Sequence, residues 1–215
     1  MSRFNYTVPS EVERGFHRHL LWGRWEAVEG LPTRNVPLWR GIMVIKHPAD
    51  LLLYHEAIYR TRPQWIVETG TDHGGSALFF GDMCEILGQG HVISVDRSHG
   101  PFPPHPRVQY LQGDSVDPRV VEQIYTRVGQ ESALVTLDSK HTAQHVSKEL
   151  VAYSPLVRDG HYLVVEDAYD ARSGRAYDAV EAFLAEQKDW ERIPVERQFL
   201  ICATRLGWLR RKNTT

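Results

Sequence analysis

The chain has 215 residues, 42% apolar, 10% aromatic and 24% charged, the balance of a globular domain and not of a fibrous or disordered one. Twenty-five basic against 27 acidic residues leave a formal net charge of −2, so the electrostatic footprint of a general nucleic-acid binder is not there. No run of about 18 apolar residues exists to span a bilayer, and two cysteines, Cys84 and Cys202, are too few for a disulfide framework.

The first 45 residues hold Trp22, Trp25 and Trp39, half of the six tryptophans, without clean periodicity. They read as an extension packed on the main domain, as a lid, a subunit contact or a simple hydrophobic clasp. The start MSRFNYTVPSEVERGF lacks the apolar core of a secretory leader, which together with the thiols points to a cytoplasmic protein. His17 and His19 read as a solvated face.

From residue 46 the pattern is regular. Asp50 is the expected N-cap of a helix over LLLYHEAIYRTR that stops before Pro63. WIVET (65–69) reads as a buried strand, GGSALFFGDMCEIL (74–87) as a helix opened by glycines, and HVISVD (91–96) as a second strand. After the proline-rich PFPPHP come a strand at RVQYL (107–111) and a helix that tolerates Pro118 in its first turn. ALVTLD (133–138) is a fourth strand, and the following helix carries Val146, Leu150 and Tyr153 on one stripe. HYLVVED (161–167) is a fifth strand, RAYDAVEAFLAEQ a helix, and WERIPV and QFLICATR two closing strands, the last before Gly207.

Strands alternating with helices predict a Rossmann-like α/β domain over 46–215: a seven-stranded, mostly parallel sheet with helices on both faces. In such sheets ligands bind outside the carboxyl ends of the strands. The chemistry-bearing residues fall there. The first strand runs into Glu68-Thr69-Gly70-Thr71-Asp72-His73-Gly74-Gly75-Ser76, a glycine turn that is neither GxGxxG nor a Walker loop. An acid before such a turn suits a cationic ligand better than a pyrophosphate, although a purely structural turn gives the same pattern. Asp96 at the second strand end can accept both hydroxyls of a ribose. Asp114 and Ser115 suit an adenine edge, or equally a helix cap.

Asp138 ends the fourth strand with His141 three residues on, and Glu166 and Asp167 end the fifth. If those strands are neighbours, three acids meeting there demand a cation, and an all-oxygen donor set favours Mg²⁺ or a similar hard divalent ion; Glu166 and Asp167 as solvated loop charges are the alternative. His141 suits a general base, while His141 and His145 as an HxxxH pair are the less favoured zinc alternative. Trp39, Tyr54, Phe102 and Tyr169 are candidates to stack on an acceptor or to pack in the core.

The segments WRGIMVIKHPADLLLYHEAIYRTRPQWIVETGTDHGGSALFF, GDSVDPRVVEQI, LVTLDSKHTAQHVSKELVAYSPLVRDGHYLVVED and ERQFLICATRLGWLRR resemble the cephalosporin hydroxylase family across residues 39–211. DSxHTxxHV followed by VxED is the most specific part. Despite its name, this family resembles metal-dependent, S-adenosylmethionine-dependent O-methyltransferases and includes rhamnosyl and macrolide-sugar methyltransferases. The resemblance implies that Glu68, Thr69, Gly70, Asp72, Gly74 and Ser76 hold the methionine end of S-adenosylmethionine. It implies Asp96 for the ribose, Asp114 and Ser115 for the adenine side, and Asp138 next to the cofactor. Asp138, Glu166 and Asp167 match the family's metal carboxylates, and His141 its base. The expected partner is a small-molecule acceptor, a sugar or glycosylated natural product, with no nucleic acid, no membrane and a possible homo-oligomer. The short stretch 168–175 implies an acceptor pocket built largely by the N-terminal segment or a neighbouring subunit. A non-catalytic subunit serving an oxygenase is the alternative, and a nicotinamide reductase is disfavoured by the missing GxGxxG.

Overall fold

The computed structural model describes residues 37–168, 176–195, 204 and 206–213. Trp22, Trp25, His17, His19, Tyr169 and Cys202 lie outside the described residues. A short hairpin of β1 (Leu38–Trp39) and β2 (Ile42–Met43) precedes helix α1 (Pro48–Thr61). The main sheet comprises β3 (Trp65–Thr69), β4 (His91–Asp96), β5 (Val108–Gln112), β6 (Ala133–Leu137), β7 (Tyr162–Val165), β8 (Trp190–Arg192) and β9 (Trp208–Arg211). Helices α2 (Gly75–Ile86), α3 (Pro118–Val128), α4 (Ala143–Tyr153) and α5 (Ala176–Glu186) connect them.

The seven strands are ordered β5-β4-β3-β6-β7-β9-β8. The first five are mutually parallel, and β9 runs antiparallel to both β7 and β8. This is the Rossmann-like α/β sheet expected from the alternating pattern. The central strands are near-continuous apolar runs because both sheet faces are covered. Neighbours along each strand serve opposite faces. Val67, Ile93 and Val135 pack with Ile124 of α3, Leu150 and Tyr153 of α4 and Val180 of α5. Ile66, Val92 and Leu134 pack on the other side with Tyr54 and Ile58 of α1, Phe79 and Phe80 of α2, and Trp208.

One local reading is corrected. The N-cap of α1 is His47, whose Nδ1 accepts from the Ala49 N–H at 3.2 Å, with Pro48 opening the helix. Asp50 sits inside the first turn, fully buried, and accepts from the Thr204 hydroxyl. A tertiary partner 154 residues away has claimed the side chain that local statistics assign to a cap. The strand that pairs with β7 is Trp208–Arg211, after Gly207. Most of QFLICATR lies outside the described residues. A Cβ on Gly207 would stand 1.9 Å from the Val165 carbonyl oxygen, so the chain passes there too closely for any side chain. Among the described residues no helix is long and apolar enough to cross a membrane.

Of the four aromatic candidates, Tyr54 is core at 0% exposure. Trp39 packs edge-on to Phe79 and donates to Asp82 Oδ2 at 2.6 Å, tying the hairpin to α2. Phe102 stacks on Tyr110 at 4.9 Å, outside the core.

Leu134 is fully buried at the sheet centre. Leu134→Ala is expected to lower unfolding free energy by about 2–5 kcal/mol in urea titration. A loss below about 1 kcal/mol would contradict this placement of the core.

Candidate active site

The sheet order reverses direction between β3 and β6, and the loops leaving these strands flank a cleft at their carboxyl ends. Gly70 makes this cleft possible. Its φ is +89°, and a Cβ there would stand 2.1 Å from the Asp138 carbonyl oxygen. The Asp138 N–H donates to the Thr69 carbonyl at 2.9 Å, and the Glu166 N–H to the Leu137 carbonyl at 3.0 Å. The three strand ends are thereby stitched together, and the acids that follow them share one rim.

Two adjoining hollows share Gly70, Asp96 and Ser139. One, of about 270 Å³, is lined further by Gly113, Asp114, Ser115, Lys140 and His145. The other, of about 380 Å³, is lined by Asp72, Ser98, Asp138 and His141 among others. A larger hollow of about 620 Å³ lies at the opposite, amino ends of the strands, around Tyr125, His161 and Arg211.

The glycine turn divides into support and lining. Glu68 is fully buried, and its Oε2 accepts from Ser94 Oγ at 2.6 Å. Burial pushes its carboxyl up, against the opposing charge of Lys46. Thr69 is buried, and its hydroxyl accepts from the Asp138 N–H at 3.2 Å. Ser76 is buried in the first turn of α2, and Gly74, at φ +82°, is that helix's N-cap. Gly70 and Asp72 face the hollows. Glu68, Thr69 and Ser76 thus lie beneath the turn.

Asp96 holds the turn from the other side. Its Oδ2 accepts from the Thr71 and Asp72 N–H groups at 2.9 and 3.0 Å, and its Oδ1 from the Ser98 N–H and hydroxyl, both at 2.8 Å. Burial alone would raise this carboxyl, but these hydrogen bonds outweigh it and hold it below its ordinary value. Its stabilising contribution is therefore present at neutral pH and lost as pH falls through the lowered value.

On the far side of the smaller hollow, Asp114 Oδ1 accepts from the Val116 N–H at 3.1 Å, and the cap of α3 is Asp117. The capping alternative for Asp114 and Ser115 is not realised. Ser115 is buried, with its Oγ 3.1 Å from His145 Nε2. His145 also meets Ser139 Oγ at 3.1 Å, and Ser139 donates to the buried Glu149 at 2.7 Å. His141 and His145 address different partners and do not assemble as a metal pair.

Asp138 and Glu166 close on a cation that the amino-acid order does not reveal. Lys46 Nζ lies 2.7 Å from Asp138 Oδ2 and 2.9 Å from Glu166 Oε1, with its side chain 1% exposed. Burial opposes its charge, but Asp138, Glu166 and Glu68 outweigh burial and hold the ammonium well above the ordinary lysine range. Tyr54, kept a neutral phenol by burial and by Glu166, donates to Glu166 Oε1 at 2.6 Å and pairs with Thr136 Oγ1 at 2.7 Å. Asp138 is pushed well above the usual carboxylate range by burial, with Glu166 and Asp167 adding to the effect against Lys46. His141 Nε2 stands 3.7 Å from Asp138 Oδ1 and 3.5 Å from Asp167 Oδ2. Asp167 adopts a left-handed backbone, φ +56°, uncommon outside glycine but tolerated by Asp.

These donors suit a hard divalent ion. Lys46 and Tyr54 converge on Glu166 Oε1; among the described residues Glu166 Oε2 accepts no hydrogen bond, and Asp138 Oδ1 faces His141. The donors are oxygens, the set that Mg²⁺ prefers. Among the described residues, the set of three ligand atoms within 4.8 Å of one another is elsewhere, at Asp82, Glu85 and His105. There His105 Nδ1 accepts from the Arg107 N–H, which leaves the proton on Nε2 facing both acids. Trp39 and Arg40 already occupy Asp82. That network is satisfied without an ion.

The profile of the rhamnosyl O-methyltransferase/CmcI family matches residues 34–212. The chain belongs to this family. A rhamnosyl O-methyltransferase of Mycobacterium leprae is 34% identical over 222 residues, covering 96% of this chain and 91% of the relative. One from Mycobacterium tuberculosis is 29% identical over 220 residues, covering 96% and 83%. Among solved structures, a Mg-SAM form of CmcI superposes with a TM-score of 0.64 at 22% identity, covering 99% of this chain and 88% of that one. CalS11, a TDP-rhamnose 3′-O-methyltransferase of calicheamicin biosynthesis, gives 0.57 at 16%, covering 77% and 80%. The two structural likenesses concern the fold.

Gly70→Ala forces a side chain into left-handed backbone and onto the Asp138 carbonyl. It is expected to cost at least about 1–2 kcal/mol in urea unfolding and to weaken S-adenosylhomocysteine binding by calorimetry. Unchanged stability and binding would contradict the close approach of these two strand ends.

Proposed function

We propose that this chain methylates a sugar hydroxyl of a glycosylated small molecule, with rhamnose or a related deoxysugar as the acceptor class. The general activity, S-adenosylmethionine-dependent O-methyl transfer, follows from family membership and from the two mycobacterial relatives. The observation that carries the finer reading is the rim itself: His141 flanked by Asp138 and Asp167, beside a hollow continuous with the glycine turn.

In this reading Asp138 Oδ1, Glu166 Oε2 and Asp167 would hold Mg²⁺. When bound, S-adenosylmethionine would supply the methyl group as a sulfonium, and Mg²⁺ would lower the pKa of the acceptor hydroxyl. The chain's own residues do the rest. Gly70 admits the amino-acid end of the cofactor close to the backbone. Asp96 would accept from the ribose hydroxyls, while its Oδ2 holds the Thr71 and Asp72 N–H groups. Asp114 and Ser115 border the base. His141 Nε2 takes the acceptor's proton as the oxygen–methyl bond forms and the sulfur–methyl bond breaks. Asp138 and Asp167 stabilise the imidazolium that results. Vicinal hydroxyls on a sugar ring suit two-point attachment at an acid-bound ion, which is why this acceptor class fits the rim.

Methyl transfer from S-adenosylmethionine to rhamnosyl glycosides is expected to vanish in EDTA and to return with Mg²⁺. Full turnover in EDTA would defeat the metal assignment. His141→Gln is expected to lower kcat by about 10²–10⁴-fold with little change in the KM for S-adenosylmethionine. A kcat within twofold of the parent would remove His141 from the proton-transfer role.

A further inference from the structure

We propose that Lys46 is a positioning residue, a resident co-cation that grips one oxygen of Asp138 and one of Glu166 so that their other oxygens are presented together to a divalent ion. The proposal rests on the metal reading given above and assigns a role to a residue that the reading does not use.

The geometry separates two faces of the acid pair. Lys46 holds Asp138 Oδ2 and Glu166 Oε1, while Asp138 Oδ1 looks toward His141 and, among the described residues, Glu166 Oε2 accepts no hydrogen bond. The lysine approaches from inside the protein. Its side chain is 1% exposed, and it is not among the residues lining the hollow that Asp138 and His141 border. A lysine that merely stood in for the ion would occupy the outward oxygens. Here the oxygen taken on Asp138 is not the one that faces His141.

The grip is itself braced. Tyr54 donates to the same Glu166 Oε1 and is fixed by Thr136 Oγ1, so Glu166 cannot rotate without breaking two hydrogen bonds. The Lys46 ammonium lies 5.6 Å from the centre of the Tyr54 ring. Behind it, the chain leaving β2 is pressed onto α2: a Cβ on Gly75 would stand 2.1 Å from the Met43 carbonyl oxygen. That contact, three residues before Lys46, sets where the ammonium can reach. Groups that orient metal ligands from behind are worth about 10- to 100-fold in metal affinity.

The test measures Mn²⁺ binding by the full-length chain through the electron paramagnetic resonance signal of free Mn²⁺, and S-adenosylhomocysteine binding by calorimetry. Lys46→Met is the principal variant. Lys46→Gln, which keeps a polar end in the buried position, serves if the methionine variant is insoluble. Either variant is expected to lose about 10- to 100-fold in Mn²⁺ affinity while S-adenosylhomocysteine affinity stays within about threefold. Mn²⁺ affinity equal to or above the parent's would overturn the proposal, because the lysine would then be only a competitor for the site. Parallel loss of S-adenosylhomocysteine binding would also overturn it, because the lysine would then be a general structural prop. A parent chain that binds no Mn²⁺ would refute the metal reading and this proposal with it, and that failure is distinguishable because it shows in the unmutated protein.

Discussion

A buried charge balance governs this site. Asp138 and Glu166 end two adjacent parallel strands, where the fold brings carboxylates together whether or not their repulsion is relieved. Lys46 relieves part of it at 2.7 and 2.9 Å. Removing one partner of such a cluster strands the other charges in a poorly solvated place, and breaking a buried pair in this way costs about 3–5 kcal/mol. The acids, the lysine and Tyr54 therefore act as a unit, and the geometry of the rim is set before any ligand arrives.

The backbone makes that unit possible through close approaches that tolerate no side chain. Gly70 against the Asp138 carbonyl, Gly75 against the Met43 carbonyl and Gly207 against the Val165 carbonyl bring β3, β6, β7 and the hairpin exit to a common point. The side of the glycine turn is shaped differently. There Asp96 gathers the glycine turn through backbone N–H groups, and α4 supports the opposite wall through His145, Glu149 and Tyr153, whose hydroxyl donates to the Ser115 carbonyl at 2.6 Å. One end of the cleft is built from charge and the other from hydrogen-bonded loops.

Much of this was legible in the amino-acid order. WIVET, HVISVD and ALVTLD announce central strands because both faces of a parallel sheet are buried, and the acids that follow them fall at the ligand-binding ends by topology alone. Lys46 was not legible. It stands 92 and 120 residues from its partners, in a connector that reads as an ordinary solvated KHP, and its one local signal is the apolar IMVI run before it. Asp50 misled for the same reason: the local pattern offered a cap, while Thr204 offered a buried partner that only the folded chain brings near. Asp96 was legible by position but not by occupancy, since its four protein donors depend on how the turn after β3 closes. Contacts made by strand order can be read from a sequence, and contacts made by connectors crossing that order cannot.

The most direct measurement is a crystal structure of the chain with Mg²⁺ and S-adenosylhomocysteine bound. The account predicts an ion about 2.0–2.1 Å from Asp138 Oδ1 and Glu166 Oε2, with Lys46 still seated on the opposite oxygens of both acids. An ion bound elsewhere, or a lysine expelled from the acid pair when the ion enters, would contradict it.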